Sequence, residues 1–169
     1  MQRRAVAAIL ALFLVALPHG VATAAASGAP SIRADLEGRP IKVAEISSFF
    51  CHDFSFPAIH CFGTPDALEA AIDIPSGAIT AAFGPSDYVT IYAEPSYGGS
   101  YMHLSQNYDT LFWIGWNDRI SSFKARNSAS GTFWSDWSAT GHATDFCCNQ
   151  TVPYLLPSID NTFTSVYRT

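Results

Sequence analysis

Asn117-Asp118-Arg119-Ile120-Ser121-Ser122-Phe123 and Asp160-Asn161-Thr162-Phe163-Thr164-Ser165-Val166 are two copies of one pattern. Each reads as a pair of Asn/Asp residues, a variable residue, an apolar residue, a hydroxyl, a serine and an apolar residue. A shift of 42 residues lays Thr90-Ile91-Tyr92-Ala93-Glu94 over Thr132-Phe133-Trp134-Ser135-Asp136, Gly99 over Gly141 and Leu104 over Phe146. One further residue brings the two loops into register. Self-similarity at a fixed spacing marks a duplicated supersecondary unit.

The texture around these loops is that of short antiparallel strands. From Tyr88 onward, aromatic and β-branched residues alternate with polar ones, as in Tyr88-Val89-Thr90-Ile91-Tyr92 and Tyr101-Met102-His103-Leu104. Gly-Gly, Asn-Asp and Asp-Asn punctuate them. Each repeat, about 88–126 and 131–169, has the length of a four-stranded Greek key. Two such units bury their apolar faces by stacking. The expected fold is therefore an all-β, double Greek-key β-sandwich over 86–169. Its interior should hold Val89, Ile91, Met102, Leu104, Ile120 and Phe123 from the first repeat, and Phe133, Phe146, Phe163 and Val166 from the second.

Two motifs in this half resemble those of the βγ-crystallin superfamily. One is the hairpin pattern Tyr92…Tyr97-Gly98-Gly99; the other is the duplicated Asn/Asp-Asn/Asp-x-x-Ser/Thr-Ser loop. The second hairpin departs from the pattern: Ala139 stands where the second aromatic should be, and Trp137 is the expected substitute for the missing ring. The resemblance covers residues 88–169 and implies two calcium sites built by crossing the loops. By position it assigns the hydroxyls to Ser121 and Thr164, backbone carbonyls to Arg119 and Thr162, and side chains to Asp118 and Asn161. Hairpin carbonyls near Glu94 and Asp136 complete the sets. These are all oxygen donors, which suit a hard cation such as calcium over zinc or copper. Asn117 and Asp160 should fix the turns through their side chains. Ser122 and Ser165 should tie each loop to its hairpin.

Residues 1–26 read as a secretory signal peptide. Arg3 and Arg4 precede the apolar run Ala5–Leu17, and a small-residue tract Ala22–Ala26 follows. That run is shorter than the roughly 20 residues needed to span a bilayer. The expected location is extracellular or periplasmic, in a bacterium, with no membrane span after cleavage. The chain carries 14 acidic residues against nine basic ones. Loss of Arg3 and Arg4 with the signal would leave seven basic residues and a net charge near −7. This argues against nucleic acid or an anionic membrane as a partner and favours a divalent cation.

Residues 27–85 form a cysteine-containing segment too small to bury a core alone, so it should lean on the β domain. Ser27-Gly28-Ala29-Pro30 reads as a loose leader, and Gly84-Pro85-Ser86 as a break. Thr64 can cap a short helix that starts at Pro65 and ends before Pro75 and Gly77. Pro40–Ala44 can form a short strand. Export favours a disulfide, with Cys51–Cys61 the first expectation because it is local. Cys147 and Cys148 either pair with each other or reach back to Cys51 and Cys61. Cys51, His52, His60 and Cys61 also form a candidate zinc set. His103 and His142, without spaced partners, are expected at the surface.

The motifs hold no phosphate loop, Ser-His-Asp set or paired-carboxylate site, so the expected function is non-enzymatic: a secreted calcium-binding protein with a structural or surface role. Two other functions remain open. One is a protease (metalloproteinase) inhibitor that uses the 105–116 connection. The other is a carbohydrate or cell-wall binder that uses Trp113, Trp116, Trp134 and Trp137. The first expects an extracellular protein partner, the second a polysaccharide.

Overall fold

The computed structural model describes residues 31–72 and 87–169. The expected signal 1–26, the leader 27–30, the helix stop at Pro75 and Gly77 and the break at Gly84–Ser86 lie outside the described residues.

The chain order is β1 (Arg33–Leu36), β2 (Arg39–Ile41), β3 (Phe50–Ser55), β4 (Ala58–Phe62), α1 (Pro65–Ile72), β5 (Val89–Glu94) and β6 (Gly98–Leu104). Then follow β7 (Ser122–Ala125), β8 (Gly131–Trp134), β9 (Ala143–Phe146), β10 (Thr151–Val152) and β11 (Ser165–Arg168). Short 3-10 turns cover Val43–Ser48, Pro95–Tyr97 and Leu111–Ile114. The strands form an eight-stranded sheet ordered β10-β7-β5-β6-β3-β4-β1-β2 and a three-stranded sheet ordered β11-β8-β9.

The Greek keys are visible in which strand crosses over. In each repeat the third strand pairs with the other repeat's sheet. β10 of the second repeat joins β7 of the first. Tyr108 of the first repeat bridges to Val166 on β11 of the second. The two sheets enclose the interior that the alternation predicts: all ten expected residues are buried in one continuous cluster. Phe133 is central, stacked on Phe163 at 4.7 Å and tilted against Phe123 and Phe146, both at 5.1 Å. Such ring pairs add to the gain from burying their area.

The N-terminal segment does more than lean on this sandwich, because it lengthens the sheet. β3 pairs parallel to β6, with Phe50, Cys51 and His52 opposite Tyr101, Met102 and His103. β4 and β1 follow. An exposed β6 edge would otherwise present unpaired amide and carbonyl groups. The core face is continuous across the seam: Phe123, Ile91, Met102, Cys51, Cys61 and Leu36 are successive cross-strand partners. Cys51 and Cys61 form the expected disulfide within this row, which leaves no thiolate for the zinc set. The expected strand at Pro40–Ala44 is shorter, ending at Ile41 before the 3-10 turn. Thr64 caps α1 as expected, accepting from the Ala67 amide at 3.2 Å.

The opposite face of the large sheet overturns one expectation. His103 is only 2% exposed. It belongs to a polar row that runs Thr90, His103, His52, His60, Asp35 across five strands. Its Nδ1 lies 2.8 Å from Thr90 Oγ1 and 3.3 Å from Asp87 Oδ2. Helix α1 packs on this face, with Leu68 fully buried beside Tyr92 and Tyr101. Glu69 of α1 accepts from the Tyr101 hydroxyl at 3.0 Å and lies 3.5 Å from His103 Nε2. Strand alternation placed His103 on the polar face, but a helix distant in sequence then covered it. Desolvation pushes the Asp87 carboxyl up, but His103 and Arg126 more than offset this, so it sits below its ordinary value.

The N-terminal and C-terminal halves are also joined by one buried acid. Asp53 on β3 is fully buried. It accepts from the Ser105 amide at 2.6 Å, the Gln106 amide at 3.3 Å and the Tyr108 hydroxyl at 2.8 Å. Burial raises its carboxyl to about 6 despite these bonds.

Cys147 and Cys148 are exposed free thiols and reach neither Cys51 nor Cys61. They sit at a tight turn closed by the Gln150 amide donating to the Cys147 carbonyl at 2.8 Å, with Cys148 and Asn149 both at positive φ. The alternative of a link back to Cys51 and Cys61 is closed because those two are bonded to each other, and Cys147 and Cys148 do not pair with each other either.

Candidate metal centre

The two repeated loops meet at one end of the sandwich, where β5 and β8 end and β7 and β11 begin. Their contacts are reciprocal. The Asp118 amide donates to the Phe163 carbonyl, and the Asn161 amide donates to the Ile120 carbonyl, each at 3.1 Å. Ser121 and Thr164 donate their amides to the Tyr92 and Trp134 carbonyls, at 3.0 and 2.8 Å. Their own carbonyls accept from the amides of Leu155 and Leu111, at 3.2 and 2.6 Å. Asp118 and Asn161 both adopt φ 54°, a left-handed backbone that Asn and Asp tolerate. The 43-residue offset between the loops in sequence is thus a pseudo-twofold relation in space.

Each hairpin is tied to its loop by the last serine of the motif, as expected. Ser122 Oγ donates to the Glu94 carbonyl at 2.7 Å and accepts from the Tyr97 amide at 3.1 Å. Ser165 Oγ donates to the Asp136 carbonyl at 2.6 Å and accepts from the Ala139 amide at 3.3 Å. Ala139 therefore occupies the place of Tyr97, at φ 58° against 62°. The hairpin backbone is kept although the ring is lost. Trp137 does not replace that ring, since it is 58% exposed. In the first hairpin Tyr97 packs edge-on to Tyr92 at 5.4 Å, and Lys124 Nζ lies 4.2 Å above its ring. At Gly99, φ is +70° and the Glu94 side chain approaches to 3.0 Å of where a Cβ would stand. Gly141, at φ +80°, meets Asp136 in the same way.

The expected donors fall into two groups. Ser121 Oγ lies 3.3 Å from Asn161 Oδ1, joining residues from both loops. Thr162 adjoins Asn161, and the Glu94 carbonyl belongs to the hairpin bonded to the Ser121 loop. The equivalent group is Asp118, Arg119, Thr164 and the Asp136 carbonyl; no side-chain bond joins Asp118 to Thr164. The Glu94 and Asp136 carbonyls each accept one serine hydroxyl and keep a second lone pair. The first residues of the motif behave alike: Asn117 Oδ1 and Asp160 Oδ1 are both buried with no hydrogen-bond partner. Buried oxygens without a donor are uncommon, and here they recur at symmetry-related positions. Their second polar atoms bond the neighbouring residue, Asn117 Nδ2 to Asp118 at 2.6 Å and Asn161 Nδ2 to Asp160 at 3.3 Å. The Asp118 carboxyl is pushed above its ordinary value by desolvation. Among the described residues no three or more His, Cys, Asp or Glu side chains gather as a metal cage. A cation here would be held by carbonyls, hydroxyls and single Asn/Asp side chains, a set that fits a hard ion.

Solved structures similar to part of this chain include a βγ-crystallin domain from Clostridium beijerinckii, at 24% identity over 48% of this chain and 95% of that one, with TM-score 0.43. A domain from Flavobacterium johnsoniae matches at 22% identity over 49% and 94%, also at 0.43. The βγ-crystallin of Ciona intestinalis matches at 20% over 48% and 98%, again at 0.43. Each of these likenesses is to a βγ-crystallin domain and covers about half of this chain. No family model matches the chain, and no curated protein matches it. The four β-strands and the helix of 31–72 precede the two repeats.

The 105–116 connection of this domain is tied down by Asp53 and by the buried Leu111 and Ile114, and Phe112 is its exposed large apolar side chain, at 68%. The four tryptophans share no strip. Trp116 is fully buried, Trp113 and Trp134 are half-buried, and Trp137 is exposed.

Proposed function

We propose that this protein is an exported, non-enzymatic calcium binder, with two sites where the crossed loops meet. Glu94, Ser121, Asn161 and Thr162 would hold one ion, and Asp136, Thr164, Asp118 and Arg119 the other. The observation that carries this reading is the reciprocal crossing of the two loops, which sets Ser121 Oγ 3.3 Å from Asn161 Oδ1 and gathers oxygen donors from both repeats. A calcium ion would draw the loops' oxygens inward and relieve the electrostatic cost of grouping them. Export would expose these sites to millimolar external calcium. The ion's role would be structural: binding the folded state alone stabilises it by mass action. One solved structure similar to part of this chain is a clostrillin double mutant in complex with nickel.

Calorimetry in calcium and in EGTA tests the proposal. At calcium 100-fold above the dissociation constant, one site adds about 2.7 kcal/mol. This raises the melting temperature by several degrees for a domain of this size. The shift should vanish in the Ser121→Ala/Thr164→Ala double variant while its EGTA melting temperature changes little. An unchanged melting temperature at millimolar calcium would exclude the proposal.

A further inference from the structure

The end of the sandwich that carries the two loops also carries an unusual surface. Among the described residues, the exposed large apolar side chains are Phe112, Trp137, Tyr154 and Leu156, at 68, 58, 66 and 67%. Single exposed apolar residues are ordinary when scattered; these are not scattered. Phe112 follows Leu111, whose amide bonds the Thr164 carbonyl, and Leu156 follows Leu155, whose amide bonds the Ser121 carbonyl. They thus hold equivalent places on the two connections that lead into the loops. Trp137 lies at the tip of the second hairpin, between Asp136 and Ser138. The Tyr154 hydroxyl accepts from Ser96 at the tip of the first hairpin, at 2.5 Å. Backbone bonds join these segments in pairs: the Ser138 amide donates to the Asp109 carbonyl at 2.9 Å, and the Ser96 amide to the Pro153 carbonyl at 2.7 Å.

The charge at this end is mostly acidic. Glu94, Asp109, Asp118, Asp136 and Asp160 lie on these hairpins and connections, against Arg119 and Lys124, whose Nζ lies over the Tyr97 ring. Without a cation such a surface is repelled by an anionic one. Each proposed site has four protein oxygens, whereas calcium takes 6–8, so at least two positions per ion are left for other oxygen donors. Building on the calcium reading, we propose that the loaded end docks on an anionic lipid bilayer. Headgroup phosphate or carboxylate oxygens complete the calcium shells, and Phe112, Trp137, Tyr154 and Leu156 enter the interfacial zone. The side-chain types favour lipid over polysaccharide. Leu156 has no ring face to stack on a sugar, whereas Leu and Phe beside Trp and Tyr are the mixture found at membrane interfaces. The acidity that disfavours an anionic membrane for the metal-free chain is what makes this attachment calcium-dependent.

The test is co-sedimentation of the full-length protein with phosphatidylcholine vesicles, with and without phosphatidylserine, in millimolar calcium or EGTA. The calcium-induced melting shift is measured on the same samples. The comparison variant is Phe112→Ser/Trp137→Ser/Leu156→Ser, all at exposed positions. Each apolar side chain withdrawn from the interface should cost about tenfold in partitioning. Calcium- and phosphatidylserine-dependent sedimentation that the variant loses while keeping its melting shift supports the proposal. A melting shift with no sedimentation overturns it and leaves calcium binding standing. Sedimentation equal in calcium and EGTA also overturns it, as does calcium-dependent retention on insoluble polysaccharide without vesicle binding. The absence of both shift and sedimentation overturns both readings.

Discussion

Asp53→Asn is the substitution whose consequences the structure specifies most fully. Asp53 is fully buried and takes donors from Ser105, Gln106 and Tyr108. Its carboxyl rises from an ordinary 3.8 to about 6, chiefly because burial disfavours the charge. The folded state therefore holds the Asp53 proton more tightly than the unfolded state does. Its contribution is complete below about pH 4 and is lost as pH rises through about 6. The gap corresponds to about 3 kcal/mol. Asparagine cannot titrate, so the variant lacks this slope. At pH 4 it should be the less stable by about 1–2 kcal/mol, because one acceptor oxygen becomes an amide facing the Ser105 or Tyr108 donors. Between pH 4 and pH 7 it should gain about 3 kcal/mol on the wild type. Urea unfolding of both proteins at pH 4.0, 5.5 and 7.0 measures the difference, in which groups common to both proteins cancel. A difference that stays flat within roughly 0.5 kcal/mol, or one that grows in favour of the wild type with pH, would refute the account of Asp53 as a strained, buried clamp.

Two further outcomes follow from the packing. His52, buried against His60 and His103, is lowered from 6.5 to about 4, first by desolvation and then by those neighbouring rings. Its contribution has the opposite sign to that of Asp53: it is complete above pH 6.5 and is lost as pH falls through about 4. His52→Gln should therefore flatten the acid limb by about 3 kcal/mol, read from melting temperatures between pH 4 and 7. At Gly131 a Cβ would meet the Phe146 ring and come within 2.6 Å of the Tyr167 carbonyl. Gly131→Ala should cost about 2–4 kcal/mol and lower the urea midpoint without changing the slope. A neutral result would mean that β9 and β11 yield more easily than a packed core permits.

The duplicated loop and the strand alternation were sufficient for the C-terminal half. Both are local patterns, and burial follows them wherever nothing else intervenes. Hence Val89, Ile91, Met102 and Leu104 are inside, Ser122 and Ser165 bind their hairpins, and Ala139 keeps the backbone of a tyrosine it does not resemble. Cys51–Cys61 was legible for the same reason, since ten residues separate a pair that a hairpin brings face to face. Other features depend on partners far along the chain. The pairing of β3 with β6 leaves no signature in either strand, because backbone hydrogen bonds are the same for every residue. His103 is buried because α1 covers it, and Asp53 is buried because the 105–108 segment brings donors to it; neither partner lies within 30 residues. The exposed apolar rim was equally hidden: Phe112, Trp137, Tyr154 and Leu156 become one surface only when both Greek keys close. The sequence alone determined which residues face inward and which loops repeat, since these are settled by neighbours along a strand. The tertiary structure decided which strand lies beside which and which polar groups lose water, since these depend on atoms that only the folded chain brings together.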